Sequence, residues 1–275
     1  GYNATLDLGG DTQAYSYALF GRSEGTSDFN WRNPDTSGSV YNVTPAFPGW
    51  DVRTLFPLGF SPQYTNEQDD LHLLGGVRGQ FTPDLSWDLS ASYGRNRIDY
   101  GLHDSINASP GPASPTAFDL GRLTQEEKIV NANFNYAWNL AALAQPVNVG
   151  FGAEYRNERY GVQAGEPASY AVGPGAIYGL DPSANGAPGF SERQAGRWDQ
   201  NSYAAYVDIE VPVTARLSIG GALRYEDFSA FGDTVNGKLS ARYAVTPDFA
   251  VRGSYSTGFR APTPGQLNTS GTNQG

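Results

Sequence analysis

The sequence predicts an all-β chain: an antiparallel transmembrane β-barrel segment of about ten strands, with short turns at one end and long loops at the other. Three observations carry this. Apolar and polar residues alternate with period two over segment after segment, the mark of strands with one apolar face. The links between these segments alternate between tight and long. The polar faces also hold charges that a dry core could not bury unpaired.

In chain order, the strand after Phe81-Thr-Pro-Asp-Leu85 sets Trp87, Leu89, Ala91 and Tyr93 against Asp88, Ser90 and Ser92. In NANFNYAWNL (131–140), Ala132, Phe134, Tyr136, Trp138 and Leu140 share one face, opposite Asn131, Asn133, Asn135, Ala137 and Asn139. Val147, Val149, Phe151, Ala153 and Tyr155 continue the pattern, followed by Tyr203, Ala205, Val207, Ile209 and Val211. Leu217 to Tyr225 and Val235 to Val245 repeat it, and in VRGSYSTGFRAP (251–262) Val251, Gly253 and Tyr255 oppose Arg252, Ser254 and Ser256. Each run is near the roughly 9–11 residues that cross a bilayer at a tilt.

Phe81-Thr-Pro-Asp-Leu85 and Val245-Thr-Pro-Asp-Phe249 read as tight turns, because Pro fixes φ and Asp bonds its own backbone. Gln145-Pro146 and Pro212-Val-Thr214 mark two more short links. Between them lie long links, expected at Asn33 to Gln68, Ser105 to Thr124 and Ala164 to Gln194, rich in Pro, Gly, Ser and aromatics. Only the link near Phe231-Gly-Asp233 is short where a long one belongs.

Composition narrows the field. A 275-residue chain that is 39% hydrophobic, with negative mean hydropathy, is poorly provided for a large water-soluble core. Its 17 Tyr, 14 Phe and 34 Gly suit pleated surfaces and tight turns more than helices. Without Cys there is no disulfide framework, thiolate nucleophile or Cys-based zinc site, and the two histidines, His72 and His103, do not make a histidine-rich metal site. A net charge of −10 argues against nucleic acid as a partner. No cofactor-binding motif is present. No run approaches the roughly 20 apolar residues of a membrane-spanning helix. With no Met and no recognisable signal peptide, residues 1–275 read as part of one β-barrel domain of something longer.

In lipid, spanning backbone must satisfy its own hydrogen bonds, which leaves helices and closed barrels. The apolar faces would meet lipid. Arg95, Arg97, Glu154, Arg156, Asp208, Glu210, Arg224, Glu226, Lys238, Arg242 and Arg252 are expected on the other face, lining water or a polar element inside. Trp87, Trp138, Tyr155, Tyr160, Tyr225, Phe228, Phe231, Tyr255 and Phe259 would form the aromatic girdles at the two interfaces.

Ser256, Gly258, Phe259, Arg260, Ala261, Pro262 and Leu267 make a Ser-x-Gly-Phe-Arg-Ala-Pro run followed by Leu, at the end of a strand headed by a Thr-Pro-Asp turn. This resembles the mid-to-late barrel of TonB-dependent outer-membrane receptors, and the strand pattern around it extends the resemblance over nearly the whole chain. In that family the run is architectural: Pro262 would end the strand and Gly258 relax the backbone. Family barrels have about 22 strands closed around an N-terminal plug. The sequence offers under half of that, no recognisable plug, and a last segment, 269–275, without the aromatic-terminated strand typical of outer-membrane barrels.

The resemblance implies a place in the bacterial outer membrane, with tight turns in the periplasm and long loops outside. It implies active uptake of a scarce ligand such as a ferric siderophore, energised by the TonB complex acting through the plug. Lipopolysaccharide and outer-membrane lipid would be the surrounding partners. Ligand-contact candidates are the loop residues Trp31, Tyr41, Trp50, Tyr64, Tyr170, Tyr178, Phe190 and Arg193, each of which could instead pack a loop. The resemblance implies no enzyme, no cofactor and no metal site. Two alternatives fit the alternation: a passive porin-like channel, and a ten-stranded outer-membrane barrel enzyme using His103-Asp104, or His72 after Asp69-Asp70.

Overall fold

The computed structural model describes residues 1–269. Ten antiparallel strands form one sheet, each bonded to its neighbours in the chain: β1 (Tyr2–Gly9), β2 (Thr12–Asp28), β3 (Gln63–Thr82), β4 (Leu85–His103), β5 (Phe118–Trp138), β6 (Val147–Ala164), β7 (Gly196–Pro212), β8 (Leu217–Phe228), β9 (Gly232–Thr246) and β10 (Phe249–Ser256). Among the described residues β1 pairs only with β2 and β10 only with β9, so the sheet is not closed. The aromatic-terminated strand considered for 269–275 concerns residues that, from 270 on, lie outside those described.

The links sort by length as the sequence predicts. One end carries 10–11, 83–84, 139–146, 213–216 and 247–248; the other carries 29–62, 104–117 and 165–195, with the short 229–231 as the exception. The β1–β2 turn needs positive φ at both positions, 59° at Gly10 and 60° at Asp11, which matches the twist of the strands it joins. The helical pieces are short: α1 (Gly38–Tyr41), α2 (Pro167–Tyr170) and α3 (Pro264–Asn268).

Ladder partners share a face, so the register assigns every strand residue to one side. The outward side carries Leu73, Leu89, Val130, Tyr203, Leu223, Leu239 and Tyr255, all exposed, with Leu239 at 67% and Tyr255 at 74%. An apolar face this bare is what lipid contact requires. The inward side is recognised by reach. Tyr15 on β2 donates its hydroxyl to Asp88 on β4 (2.7 Å to Oδ2), and Tyr206 on β7 donates to Asn133 Oδ1 on β5 (2.8 Å). Each ring passes over a glycine of the strand between, Gly76 or Gly152, where an added Cβ would lie 2.5 Å from Tyr15 Cζ or 2.8 Å from Tyr206 Cε1. Strands two apart are about 9.5 Å from one another in a flat sheet, and concave curvature brings such groups within bonding distance.

Three expectations need correction. β3 begins at Gln63 and β5 at Phe118, several residues earlier than the alternation shows, and β5 ends at Trp138, which leaves Leu140 in a link. Arg95 and Arg97 lie on the outward face, in unbroken register with Leu89 and Tyr93. Tyr160 and Phe228, expected in the girdles, face inward, an odd number of residues from outward Tyr155 and Tyr225. The early starts of β3 and β5 and the reversed sides of Arg95, Arg97 and Tyr160 share one cause. β3 to β6 run to 18–21 residues, about twice what a bilayer needs, so their loop-side halves stand in water. Both faces are wet there, and polarity no longer reports the side.

Candidate functional site

Above the wall, the long loops pack into a cap with a core of its own. Val40 and Tyr41 of α1, with Val52 and Phe60, meet Ile106 and Ala108 of the β4–β5 loop and Leu180 of the β6–β7 loop. Phe47, Trp50 and Phe56 pack around them. A second cluster, Leu102, Phe118, Leu120 and Ala184, joins this cap to the strand ends.

Hydrogen bonds lock the three loops together. Buried Asn107 donates through Nδ2 to the carbonyls of Ala168 (3.0 Å) and Ala171 (2.9 Å). Ser105 Oγ donates to Asn185 O at 2.6 Å, and Gly173 N donates to Ser109 Oγ at 2.9 Å. A Cβ at Gly173 would lie 2.4 Å from the Ser109 backbone, so only glycine allows this approach. Ser39 ties the β2–β3 loop to Asp181, its hydroxyl 2.8 Å from Oδ2.

Beneath the cap, the mouth of the inward face is aromatic. Tyr64 and Tyr100 stack at 5.6 Å, Phe29 meets Tyr64 edge-on at 6.3 Å, and Phe190 meets Tyr100 at 6.1 Å. Tyr160 and Trp198 stack at 6.0 Å. Lower down the face is ionic. Glu154 Oε1 lies 3.1 Å from Arg156 and 3.3 Å from Arg224, and Arg224 also reaches Glu226 at 2.9 Å. The mouth can therefore hold a flat or aromatic surface, and the wall below can exchange hydrogen bonds and charge with a polar body inside.

The predicted ligand-contact residues scatter across this architecture. Trp31, 57% exposed, lies against Gly59 at the edge of the cap. Tyr41 is 2% exposed inside the cap core, its hydroxyl donating to Phe56 O at 3.1 Å with Arg53 over its ring at 5.3 Å. Burial pushes its phenol up to about 12, Arg53 partly opposing. In this structure it is a packing residue. Trp50 packs edge-on against Phe47 at 5.7 Å. Tyr64 is on β3 rather than in a loop, and faces the mouth. Tyr170 ends α2 half-buried, Tyr178 is exposed, and Arg193 is exposed beside the start of β7. Phe190 joins Tyr64 at the mouth.

Sequence reasoning missed Phe29, Tyr100 and Trp198, and misassigned Tyr160. Counting parity from Tyr155 and Tyr203 through the polar upper strands would have turned Tyr160 and Trp198 inward.

The Ser-x-Gly-Phe-Arg-Ala-Pro run leaves β10 at Ser256 and turns inward. Thr257 N donates to Gly237 O at 2.9 Å, and Phe259 meets inward Phe228 at 6.0 Å. Gly258, Arg260, Ala261 and Pro262 lead to α3, which a Thr263 and Gln266 capping box starts. Gly265 of α3 sits over Tyr160, and Leu267 stays half-exposed. His72 lies on the inward face against Tyr17 (ring centroids 5.1 Å), whereas His103 ends β4 with outward parity. No described group of three or more His, Cys, Asp or Glu is arranged to hold a metal.

Solved structures repeat this architecture. The ferric-catecholate import receptor Fiu of E. coli K12, in its closed form, is 14% identical with a TM-score of 0.56 over 99% of the chain. The siderophore receptor PirA of Acinetobacter baumannii is 14% identical with a TM-score of 0.57 over 94% of the chain. At these identities the likeness is one of fold. The chain spans 45% of the Fiu structure and 33% of the PirA structure. No curated protein matches the sequence. The family profile described as TonB dependent receptor-like, beta-barrel, matches residues 1–275 from end to end. With the alternating wall, the sorted links and the inturned run after β10, this match establishes that the chain belongs to the TonB-dependent receptor β-barrel family.

Proposed function

We propose that these residues form part of the wall and outer cap of an outer-membrane transporter that takes up a scarce ligand, with ferric siderophores as the leading class. Energy would reach it from the TonB complex through a plug held inside the barrel. The observation that carries this reading is the division of the inward face: an aromatic mouth at Tyr64, Tyr100, Phe190, Tyr160 and Trp198 above an ionic wall at Glu154, Arg156, Arg224 and Glu226. The mouth suits a ligand with aromatic iron-binding groups, and the wall suits a polar plug better than open water. Exposed Trp31, Tyr178 and Arg193 would make first contact from outside, with Tyr64 and Phe190 next.

The test is uptake of a radiolabelled ferric catecholate by cells whose only receptor is the full-length protein, with and without TonB. Accumulation that requires TonB supports the reading. Accumulation indifferent to TonB would make it a passive channel instead.

A further inference from the structure

Asn-Gly occurs twice in the sequence, at Asn185-Gly186 and Asn236-Gly237. In any such pair the glycine nitrogen is covalently placed to attack the preceding side-chain amide and close a succinimide ring, and no Cβ stands beside it. The structure sets the two pairs apart. Asn236 lies in the β9 ladder opposite Arg224, and Gly237 N donates to Thr257 Oγ1 at 2.9 Å, so that nitrogen is engaged and its backbone held extended. Gly186 lies half-buried in the β6–β7 loop with φ at 108°, and its N–H donates to no described residue.

Asn185 is also where the three long loops meet. Its N donates to Ile106 O at 3.0 Å and its O accepts from Ser105 Oγ at 2.6 Å, both in the β4–β5 loop. Its Oδ1 accepts from Nε of Arg32, in the β2–β3 loop, at 2.6 Å. Its Nδ2 donates to Asp181 Oδ2 at 3.4 Å, the oxygen to which Ser39 also donates. Arg32 is itself held, its N donating to Phe60 O at 2.7 Å and its Nη1 to Asn30 O at 2.9 Å. These partners fix which way round the amide lies, oxygen toward a cation and nitrogen toward an anion. Oδ1 is the atom on which negative charge gathers when a nucleophile attacks Cγ, and a guanidinium is already bonded to it.

We propose that Asn185 is a self-modification site, which loses its side-chain nitrogen to attack by Gly186 N and so unfastens the loop cap where its three loops join. The Gly186 N–H proton passes to water, the nitrogen pair forms the N–Cγ bond, and the Cγ–Oδ1 π pair moves onto Oδ1, where Arg32 holds the charge. When that pair returns, the Cγ–Nδ2 bond breaks and Nδ2 leaves as ammonia with a proton from water. Water then opens the succinimide, at Cγ to give aspartate or at the backbone carbon to give isoaspartate. Water is the only co-reactant, and nothing is oxidised or reduced. Either product sets a carboxylate beside Asp181 in place of the amide that bonded it. Isoaspartate also reroutes the main chain through Cβ and Cγ, which changes the group that Ser105 holds. The reaction needs neither a transported ligand nor a membrane, so it stands apart from the transport reading.

The experiment ages the full-length protein, purified in mild detergent, at neutral pH in heavy-oxygen water and follows its peptides by mass spectrometry. The peptide holding Asn185 should gain the mass of an amide-to-acid exchange that includes the heavy oxygen, while the peptide holding Asn236 stays unchanged. Arg32→Gln should slow the conversion by about tenfold or more, whereas a merely looser loop would speed it. As the modified fraction grows, protease should cut 29–62, 104–117 and 165–195 sooner. An unchanged Asn185, conversion of both asparagines at equal rates, or an Arg32→Gln rate equal to or above that of the wild type would overturn the proposal. Protease resistance that ignores the modified fraction would overturn the unfastening of the cap. If Arg32→Gln does not fold, the comparison of Asn185 with Asn236 in the wild-type chain still decides.

Discussion

In the loop cap, Ile106 and Asn107 have no contact with solvent, while in the wall the outward Leu239 and Tyr255 remain mostly bare. Both regions come from one chain of modest hydrophobicity, and the difference is in their surroundings. The wall takes its apolar medium from lipid, so its side chains need only alternate. The cap stands in water and must enclose apolar groups itself, with aromatic rings and interlocked carbonyls. Among the described residues, the only clusters of buried hydrophobic residues therefore lie in and just beneath the loops.

The sharpest way to break this contrast is a charge in the cap. Ile106→Asp would bury a carboxylate among Tyr41, Val52 and Leu180, at a cost of several kcal/mol, about 3–5. Limited proteolysis should then cut within 29–62, 104–117 and 165–195 together, while the strands of the wall stay uncut. Cutting confined to 104–117 would show that the loops do not act as one body.

The matching change in the wall is Leu239→Arg, near the middle of β9 on the outward face. It should cost about 2–4 kcal/mol, read as a lower denaturant midpoint for unfolding from vesicles. The same protein in the cap assay should show unchanged protease resistance. A loss in both assays would mean that wall and cap unfold as one unit.

A smaller effect follows from Tyr41. Its folded-state pKa, about 12, stands above the ordinary 10, so between those values the unfolded cap releases a proton that the folded cap keeps. The stability this contributes is complete below pH 10 and declines as pH rises toward 12. Hydrogen exchange or proteolysis of the cap should accelerate over that window, and Tyr41→Phe should remove this part of the pH dependence. Smallest of all is Arg22→Gln. Its pairs with Glu24 (3.4 Å) and Glu67 (2.8 Å) are more than half exposed, and loss of less than about 0.5 kcal/mol is expected in either assay.

The two regions were unequally legible. Trp87 to Tyr93, Ala132 to Trp138 and Val147 to Tyr155 declare their faces because lipid lies on one side and water or protein on the other. Where β3 to β6 rise out of the bilayer, that asymmetry ends, and Arg95, Tyr160 and the first residues of β3 and β5 lost their assignment with it. The cap was legible only as composition. Asn107 finds its acceptors at Ala168 and Ala171, 61 and 64 residues away, and no local period encodes a contact between loops. The aromatic mouth fell between the two: Tyr64 and Phe190 were picked out as loop aromatics, while Tyr100, the partner of both, and Trp198, the partner of Tyr160, sit on strands. The run at Ser256 to Leu267 was legible through family likeness, its inward turn was not.

Tyr15 passing over Gly76, and Tyr206 over Gly152, carry a consequence for how the chain can vary. Each is a diagonal strut across three strands, with a gap in the middle member cut to admit it. Lengthening the gap residue even by a methyl group, as in Gly76→Ala, would push the strut off its anchor, and removing the strut would leave the notch without purpose. Tyrosine, glycine and acceptor are thus tied as triplets, at positions that share no segment of sequence. Curvature, a property of the whole wall, is set at such points by three residues that can change only in concert.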